Sequence, residues 1–145
     1  MDGFLGTRAS LGTDVVVVAM VIVVPVMLAS IALVRFRGAY RAHRAVQIGL
    51  AIALLIGIVI FEVDIRLNGW VHRAEASRFY VAGRWNDLIE YSLALHLCFA
   101  IPVIFLWGLV IVRALRKFPR PLAPGEHSRS HRFWGRLAAV WMAIT

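Results

Sequence analysis

The chain has 145 residues, 61% of them hydrophobic, and a net charge of +8. Its length suits one domain, but its mean hydropathy of +0.77 is high for a soluble domain, in which about half the residues are apolar. A basic soluble chain would suggest nucleic-acid binding, but here Lys and Arg lie between long apolar blocks, so membrane topology explains the charge better. One cysteine, Cys98, supplies neither a disulfide framework nor a CxxC metal motif.

The first apolar block covers residues 15–34, twenty residues without a charge. As a helix it would be about 30 Å long, which matches the hydrocarbon core of a bilayer. A cleaved signal peptide is the alternative, but the run is longer than the hydrophobic region of such peptides, Asp2 precedes it, and positive charge follows it. We therefore predict a first transmembrane helix here.

Three further apolar blocks follow. Residues 45–63 and 91–112 are each long enough to cross a membrane, and Pro102 is tolerated within such a helix. A last block begins near 133 and reaches the end of the sequence at 145, so we expect a fourth helix that is cut short in this chain. The predicted fold is an all-α integral membrane protein, one domain built as an up-and-down bundle of four transmembrane helices.

Small residues on the second helix suggest how this bundle packs. Gly49 and Gly57 are eight residues apart, close to one helix face, and Ala53 lies between them. Small residues let membrane helices approach closely. We expect the second helix to pack through these positions.

Lys and Arg are distributed unevenly over the connections. Eleven lie between the first two helices or after the third, whereas five lie at the N-terminus or between helices two and three: Arg8, Arg66, Arg73, Arg78 and Arg84. The positive-inside rule therefore places the N-terminus outside the cytoplasm. The connection at 64–90 carries aromatic residues that favour membrane interfaces, namely Trp70, Phe79, Tyr80 and Trp85, so we expect a short helix or cap on the outer surface.

Ionisable side chains at membrane depth are costly unless paired or hydrated, so each is a candidate functional residue. The outer candidates are His96 in the third block, Glu62 and Asp64 at the end of the second, and His72 in the connection. Together they could bind Zn, Fe, Mn or Cu(II). On a continuous helix Glu62 and Asp64 point about 200° apart, so both reach one ion only if the helix frays after residue 63. The alternative is that Glu62 pairs with Arg66 and the other polar groups face headgroups or neighbouring helices.

Three histidines form a second candidate site on the predicted cytoplasmic side. His127 and His131 are four residues apart, so on a helix they would share a face and could bind one metal ion, although no zincin motif is present. His43 begins the second helix and His131 precedes the fourth, and at similar depth these two could ligate a haem axially. The alternative is that all three belong to a basic rim that attracts anionic lipid.

Three motifs together resemble a known family: HRAVQ at 43–47, YSLALHLCFA at 91–100 and HSRSHRFWGRLA at 127–138. They resemble a small bacterial membrane family classified as a domain of unknown function, which includes CtaM-like proteins implicated in the maturation of haem-copper oxidases. The resemblance spans 38–145 and implies that His43, His96 and His131, with His127 close by, are cofactor or metal ligands. The segment FEVDIRLNGW at 61–70 departs from the pattern of the oxidase-maturation members.

The resemblance makes the leading hypothesis a factor in the bacterial inner membrane that assists maturation of a haem-copper oxidase. It would bind haem or a transition metal, copper, zinc or iron, and its partners would be the lipid bilayer and the oxidase or another respiratory complex. A structural accessory subunit of a respiratory complex is the second hypothesis. A membrane metalloenzyme that activates water or oxygen at Glu62, Asp64, His72 and His96 ranks last, because no recognised ligand spacing is present.

Overall fold

A computed structural model describes residues 3–6, 9–82 and 88–145. Within these ranges the chain is all-helical and without strands, with five helices: α1 Leu11–Arg37, α2 Tyr40–Asn68, α3 Val71–Glu75, α4 Leu88–Lys117 and α5 Ser128–Ile144. The all-α prediction is therefore confirmed. Arg8, Arg84 and Trp85, which enter the orientation argument, lie outside the described residues.

Helices α1, α2 and α4 are each long and apolar enough to cross a membrane. They contain the three predicted spans and extend each one at both ends, because charged residues continue the helices beyond the apolar blocks. Apolar side chains on their surfaces are well exposed, for example Val21 at 68% and Phe105 at 73%. Lipid would cover such a surface favourably. Helix α5 has 17 residues, and the fourth transmembrane helix stays a prediction.

The chain forms two compact units. Unit 1 comprises Met1–Ile22 and Ala53–His96, and unit 2 comprises Val23–Ile52 and Leu97–Thr145. Helices α1, α2 and α4 each contribute to both units, whereas α3 belongs to unit 1 and α5 to unit 2. Each unit contains its own polar cluster.

In unit 1, α1 contacts α2 at Gly12 of α1. A Cβ built on Gly12 would lie 3.3 Å from Cβ of Asp64 and 3.5 Å from Cγ2 of Ile60, both on α2. A Cβ on Gly49 or Gly57 would meet no atom of the described residues within 4 Å. The expectation that α2 packs through these two glycines is therefore wrong, since open space surrounds both.

Unit 2 has an apolar core that α1, α4 and α5 share. Val103 on α4, Met27 on α1 and Met142 on α5 are all at most 3% exposed. The rings of Phe99 and Trp141 meet edge to face, with their centroids 5.9 Å apart. Since α5 packs in this core, His131 near its start is held close to α2 and α4.

A two-residue turn joins α1 to α2 in unit 2. Gly38 has φ +60°, and its N–H donates to the carbonyl of Val34 at 3.1 Å. The N–H of Ala39 donates to the carbonyl of Leu33 at 3.3 Å. The bond from Gly38 to the carbonyl four residues earlier is that of the αL helix-capping motif, in which glycine adopts the left-handed conformation at no steric cost. The motif fixes where α2 begins and therefore where its first histidine lies.

Candidate functional site

Unit 2 contains a chain of hydrogen bonds that ends at a histidine. Nε1 of Trp107 donates to Oε1 of Gln47 at 2.9 Å, and Nε2 of Gln47 donates to Oγ of Ser30 at 2.8 Å. Oγ of Ser30 donates in turn to the carbonyl of Met27 at 2.8 Å and lies 3.2 Å from Nδ1 of His43. These contacts connect α1, α2 and α4 through groups that are buried or half-buried.

The chain determines which nitrogen of His43 carries the proton. A serine hydroxyl has one hydrogen, and Ser30 gives it to the carbonyl of Met27. Nδ1 of His43 must therefore be the donor in its contact with Ser30. In the neutral ring this leaves Nε2 with its lone pair. An imidazole held by a hydrogen bond at one nitrogen and open at the other is the arrangement that metal-ligating histidines use.

Three histidines of unit 2 lie together, and two of them contact one phenylalanine. The ring centroids of His43 and His131 are 6.4 Å apart, with the planes at 81°, and those of His127 and His131 are 6.2 Å apart. The ring of Phe118 contacts His127 at 5.5 Å and His131 at 5.3 Å between centroids. The structure thus brings together the three histidines that the sequence places on one side.

His131 is distinctive because its Nδ1 is buried and has no hydrogen-bond partner among the described residues. A buried polar atom without a partner is costly and therefore uncommon. Both His43 and His131 lie inside helices rather than at their boundaries, since α2 begins at Tyr40 and α5 at Ser128. This corrects the sequence-based placement of both histidines at the helix boundaries. Because helical residues precede each histidine, its backbone is held rigidly.

Burial and neighbouring positive charge act on the two histidines outside the candidate spans. Burial lowers the pKa of His127, and the charges of Lys117 and Arg113 lower it further. Burial also lowers the pKa of His131, followed by the effects of the other two histidines and Arg132. Both imidazoles are therefore held in the neutral form, in which a ring nitrogen has a free lone pair.

His43 and His131 border a cavity of about 370 Å³ in unit 2. This volume lies within the usual range of about 300–1,000 Å³ for ligand pockets. His43, His131, Gln47 and Trp107 line it together with apolar residues of α1 and α4. Five arginines also line it: Arg35, Arg44, Arg120, Arg132 and Arg136.

Asp64 of unit 1 is the centre of a separate polar cluster. Its carboxylate accepts hydrogen bonds from the hydroxyls of Ser10 and Thr13, from Nδ2 of Asn68 at 2.8 Å and from NH1 of Arg73 at 3.4 Å. The Asp64 side chain is only 11% exposed. Protein donors therefore occupy the carboxylate that the sequence proposes as a metal ligand, and a metal ion would have to displace some of them.

The other proposed metal ligands of unit 1 are not arranged with Asp64 as a shared metal site would require. Helix α2 continues without a break to Asn68, so the fraying that would turn Glu62 and Asp64 toward one ion does not occur. Glu62 instead pairs with Arg66 at 3.2 Å, the structural alternative offered above. His72 lies in α3 and His96 in α4. Within the described ranges, no three His, Cys, Asp or Glu side chains form a group that could hold a metal ion.

Sequence reasoning missed several buried polar residues in the two units. Asp14, in the first turn of α1, is only 1% exposed and accepts the N–H of Leu5 at 2.7 Å, as suits an acid at a helix N-terminus. Its position next to the first apolar block was the available signal. Ser30 and Gln47 carry no comparable signal, since isolated uncharged polar residues occur in many membrane helices.

Comparisons of the chain with models of protein families, with curated proteins and with solved structures found no match. The class of protein is therefore defined by the fold: a helical chain with three helices long and apolar enough to cross a membrane. The resemblance to the oxidase-maturation family stays a prediction.

Proposed function

We propose that the chain is a membrane-embedded haem-binding factor that assists maturation of a haem-copper oxidase, with His43 and His131 as the axial ligands. The observation that carries the proposal is the buried Nδ1 of His131, which has no hydrogen-bond partner among the described residues and belongs to a side chain that lines a cavity together with His43. A ligand bound there would give this nitrogen the partner it lacks, which is the expected reason for such an atom to persist.

The separation of the two rings suits this role. Two imidazoles could hold one metal ion only if both rings lay close to it, because a metal–nitrogen bond is roughly 2 Å long. The centroids of His43 and His131 are 6.4 Å apart. A pair of protein ligands is sufficient for haem, since the porphyrin supplies four nitrogens. Bound haem would supply a redox-active iron, while the chain's own part is to hold and orient it.

The donor atoms also fit. The hydrogen bond to Ser30 fixes the orientation of His43 and leaves its Nε2 as the ligand atom. Burial keeps His131 neutral, as a ligand must be. The step from haem binding to oxidase maturation is supported by the motif resemblance at 43–47, 91–100 and 127–138 alone.

A haem titration of the detergent-purified protein tests the binding proposal. We expect one haem per chain, with the absorption spectrum of a bis-histidine complex. His43→Ala and His131→Ala should each weaken binding by more than about tenfold, because each removes an axial ligand. His72→Ala, in α3 of unit 1, is the matched control and should bind haem normally. Wild-type protein that takes up no haem, or equal binding by all three variants, would overturn the proposal.

A complementation experiment tests the role in maturation separately. In cells lacking this gene, we expect the wild-type chain to restore haem-copper oxidase activity and His131→Ala or His96→Ala to fail, at equal membrane levels of each protein. Normal oxidase with His131→Ala, in a protein whose haem binding is lost, would rule out maturation through this site. The proposal that the wild-type chain binds haem would still stand after that result.

A structural accessory subunit is the second candidate, and Asp64 favours it. A carboxylate that accepts hydrogen bonds from four protein groups stabilises the fold and needs no ligand. This candidate predicts that the chain purifies with a large respiratory complex and remains without haem when haem is supplied. Purification as a separate haem-binding protein would exclude it.

A further inference from the structure

Unit 2 has an extreme imbalance of charge. Its two segments, Val23–Ile52 and Leu97–Thr145, contain eleven Lys and Arg residues but a single acid, Glu126. Like charges at this density repel one another and attract anions. An anionic partner would therefore stabilise this unit.

Five of these eleven residues surround one cavity, namely Arg35, Arg44, Arg120, Arg132 and Arg136. Within the described part of the chain, the ion pairs are Glu62 with Arg66 and Asp64 with Arg73, and both belong to unit 1. The five cavity arginines therefore have no acidic partner there. Guanidinium groups bind phosphate oxygens through two parallel hydrogen bonds, which makes phosphate a well-suited ligand for them.

The Gly38 turn holds two of these arginines in fixed positions. Arg35 lies in the last turn of α1 and Arg44 in the second turn of α2, and only Gly38 and Ala39 separate the two helices. The capping hydrogen bonds of this turn restrict both helix ends. The rigid turn therefore holds the helix segments that carry these two arginines beside the cavity.

The rest of the cavity wall is apolar and lies on helices that could cross a membrane. Ile31 and Val34 of α1 and Ile111 and Leu115 of α4 line it. A free inorganic anion would leave these side chains uncovered. A ligand that satisfies the whole cavity needs an acidic head and an apolar body, and it should be available within the bilayer.

We propose that this cavity binds one anionic phospholipid, with the phosphodiester among the arginines and the acyl chains along the apolar surfaces of α1 and α4. The charge complementarity of the arginines carries this inference, and it does not depend on the haem proposal. If both proposals hold, haem and the phospholipid exclude each other, because both would occupy the same cavity.

Native mass spectrometry of the full chain in a neutral detergent tests the inference. Phosphatidylglycerol or phosphatidylcholine is titrated in at about 0.15 M salt, where charges more than roughly 8 Å apart are screened. We expect one tightly bound phosphatidylglycerol and at least about tenfold weaker binding of phosphatidylcholine, which has no net charge. Equal binding of the two lipids would overturn the inference, and so would displacement of the lipid by millimolar inorganic phosphate. This comparison uses the wild-type chain, so it needs no variant to fold.

Paired substitutions then locate the site. Arg44→Gln with Arg136→Gln removes two cavity arginines, whereas Arg37→Gln with Arg41→Gln removes the same charge from nearby residues that do not line the cavity. At about fivefold for each arginine, the first pair should weaken phosphatidylglycerol binding roughly 25-fold. The control pair should change it less than about twofold. Equal weakening by both pairs would show a diffuse charge effect and overturn the site. Haem absorption is a separate measurement, so failure of either proposal is recognised independently.

Discussion

Gln47 is the residue through which the hydrogen-bond chain of unit 2 connects two other helices. It accepts from Trp107 on α4 and donates to Ser30 on α1, which is 1% exposed. We expect Gln47→Leu to lower the free energy of unfolding by about 1–3 kcal/mol, because it leaves buried groups of Trp107 and Ser30 without a partner. Reversible unfolding in mixed detergent measures this change.

The control for this substitution is Ser92→Ala. The Ser92 hydroxyl donates to the carbonyl of Ile89 on its own helix and is exposed. Its loss should change the free energy of unfolding by less than about 0.5 kcal/mol. Equal effects of the two substitutions would mean that the chain of hydrogen bonds does not stabilise unit 2.

His127 and His131 give unit 2 a defined response to pH. In the folded protein the pKa of each lies below the ordinary value of 6.5, which the unfolded chain retains. At a pH between the folded and the unfolded pKa, the folded protein therefore binds fewer protons than the unfolded chain. Stability should therefore be constant above that window and fall as the pH drops below 6.5. Thermal unfolding of detergent-purified protein across this range measures the effect, and the double variant His127→Gln with His131→Gln should have a shallower dependence. An unchanged dependence would assign the effect to other groups.

At the residue scale, the sequence predicted the histidines but not what holds them. His43 and His131 were placed at similar depth by counting along apolar blocks, and the structure brings their rings close together. Ser30 and Gln47 were missed because their partners lie far along the chain, and no local spacing encodes a contact between Gln47 and Trp107. Two donors to Asp64, Ser10 and Thr13, were missed for the same reason, whereas Asn68 lies only four residues from Asp64 on the same helix.

Helix α1 meets α2 within unit 1 at Gly12, where space is limited. Gly12→Val would place methyl groups against Asp64 and Ile60, so we expect it to destabilise the protein by about 1–3 kcal/mol. Gly57→Val carries the same change in helix propensity but enters open space, so it is the matched control. Detergent unfolding of both variants measures the difference. Similar losses at the two positions would show that backbone propensity, not contact, determines the cost.

At the element scale, helix existence was predictable and helix packing was not. Long apolar blocks specify transmembrane length, and α1, α2 and α4 contain all three blocks. Their ends extend further because charged residues are also good helix formers, until a turn such as that at Gly38 ends the helix. Small residues alone did not locate the helix contact: Gly49 and Gly57 face open space, whereas Gly12 does not.

The distribution of charge over the whole chain predicts its orientation in a membrane. The region around the α1–α2 turn, with the helix ends that flank it, and the region from the end of α4 onward hold eleven of the sixteen Lys and Arg residues. We expect both to be cytoplasmic and α3 to be outside. Alkaline phosphatase fused after Ala76 should be active, and the same enzyme fused after Gly125 should be inactive. The reverse result would invert the proposed topology.

The hydrogen bonds around Ser30 also have a consequence for proton movement. Every donor in the chain from Trp107 and from His43 leads toward the hydroxyl of Ser30, which delivers its own hydrogen to the carbonyl of Met27. A main-chain carbonyl takes up no proton at physiological pH, so this path conducts none and His43 cannot discharge its Nδ1 proton through it. Any proton that enters or leaves the cavity when a ligand binds must therefore pass by another path.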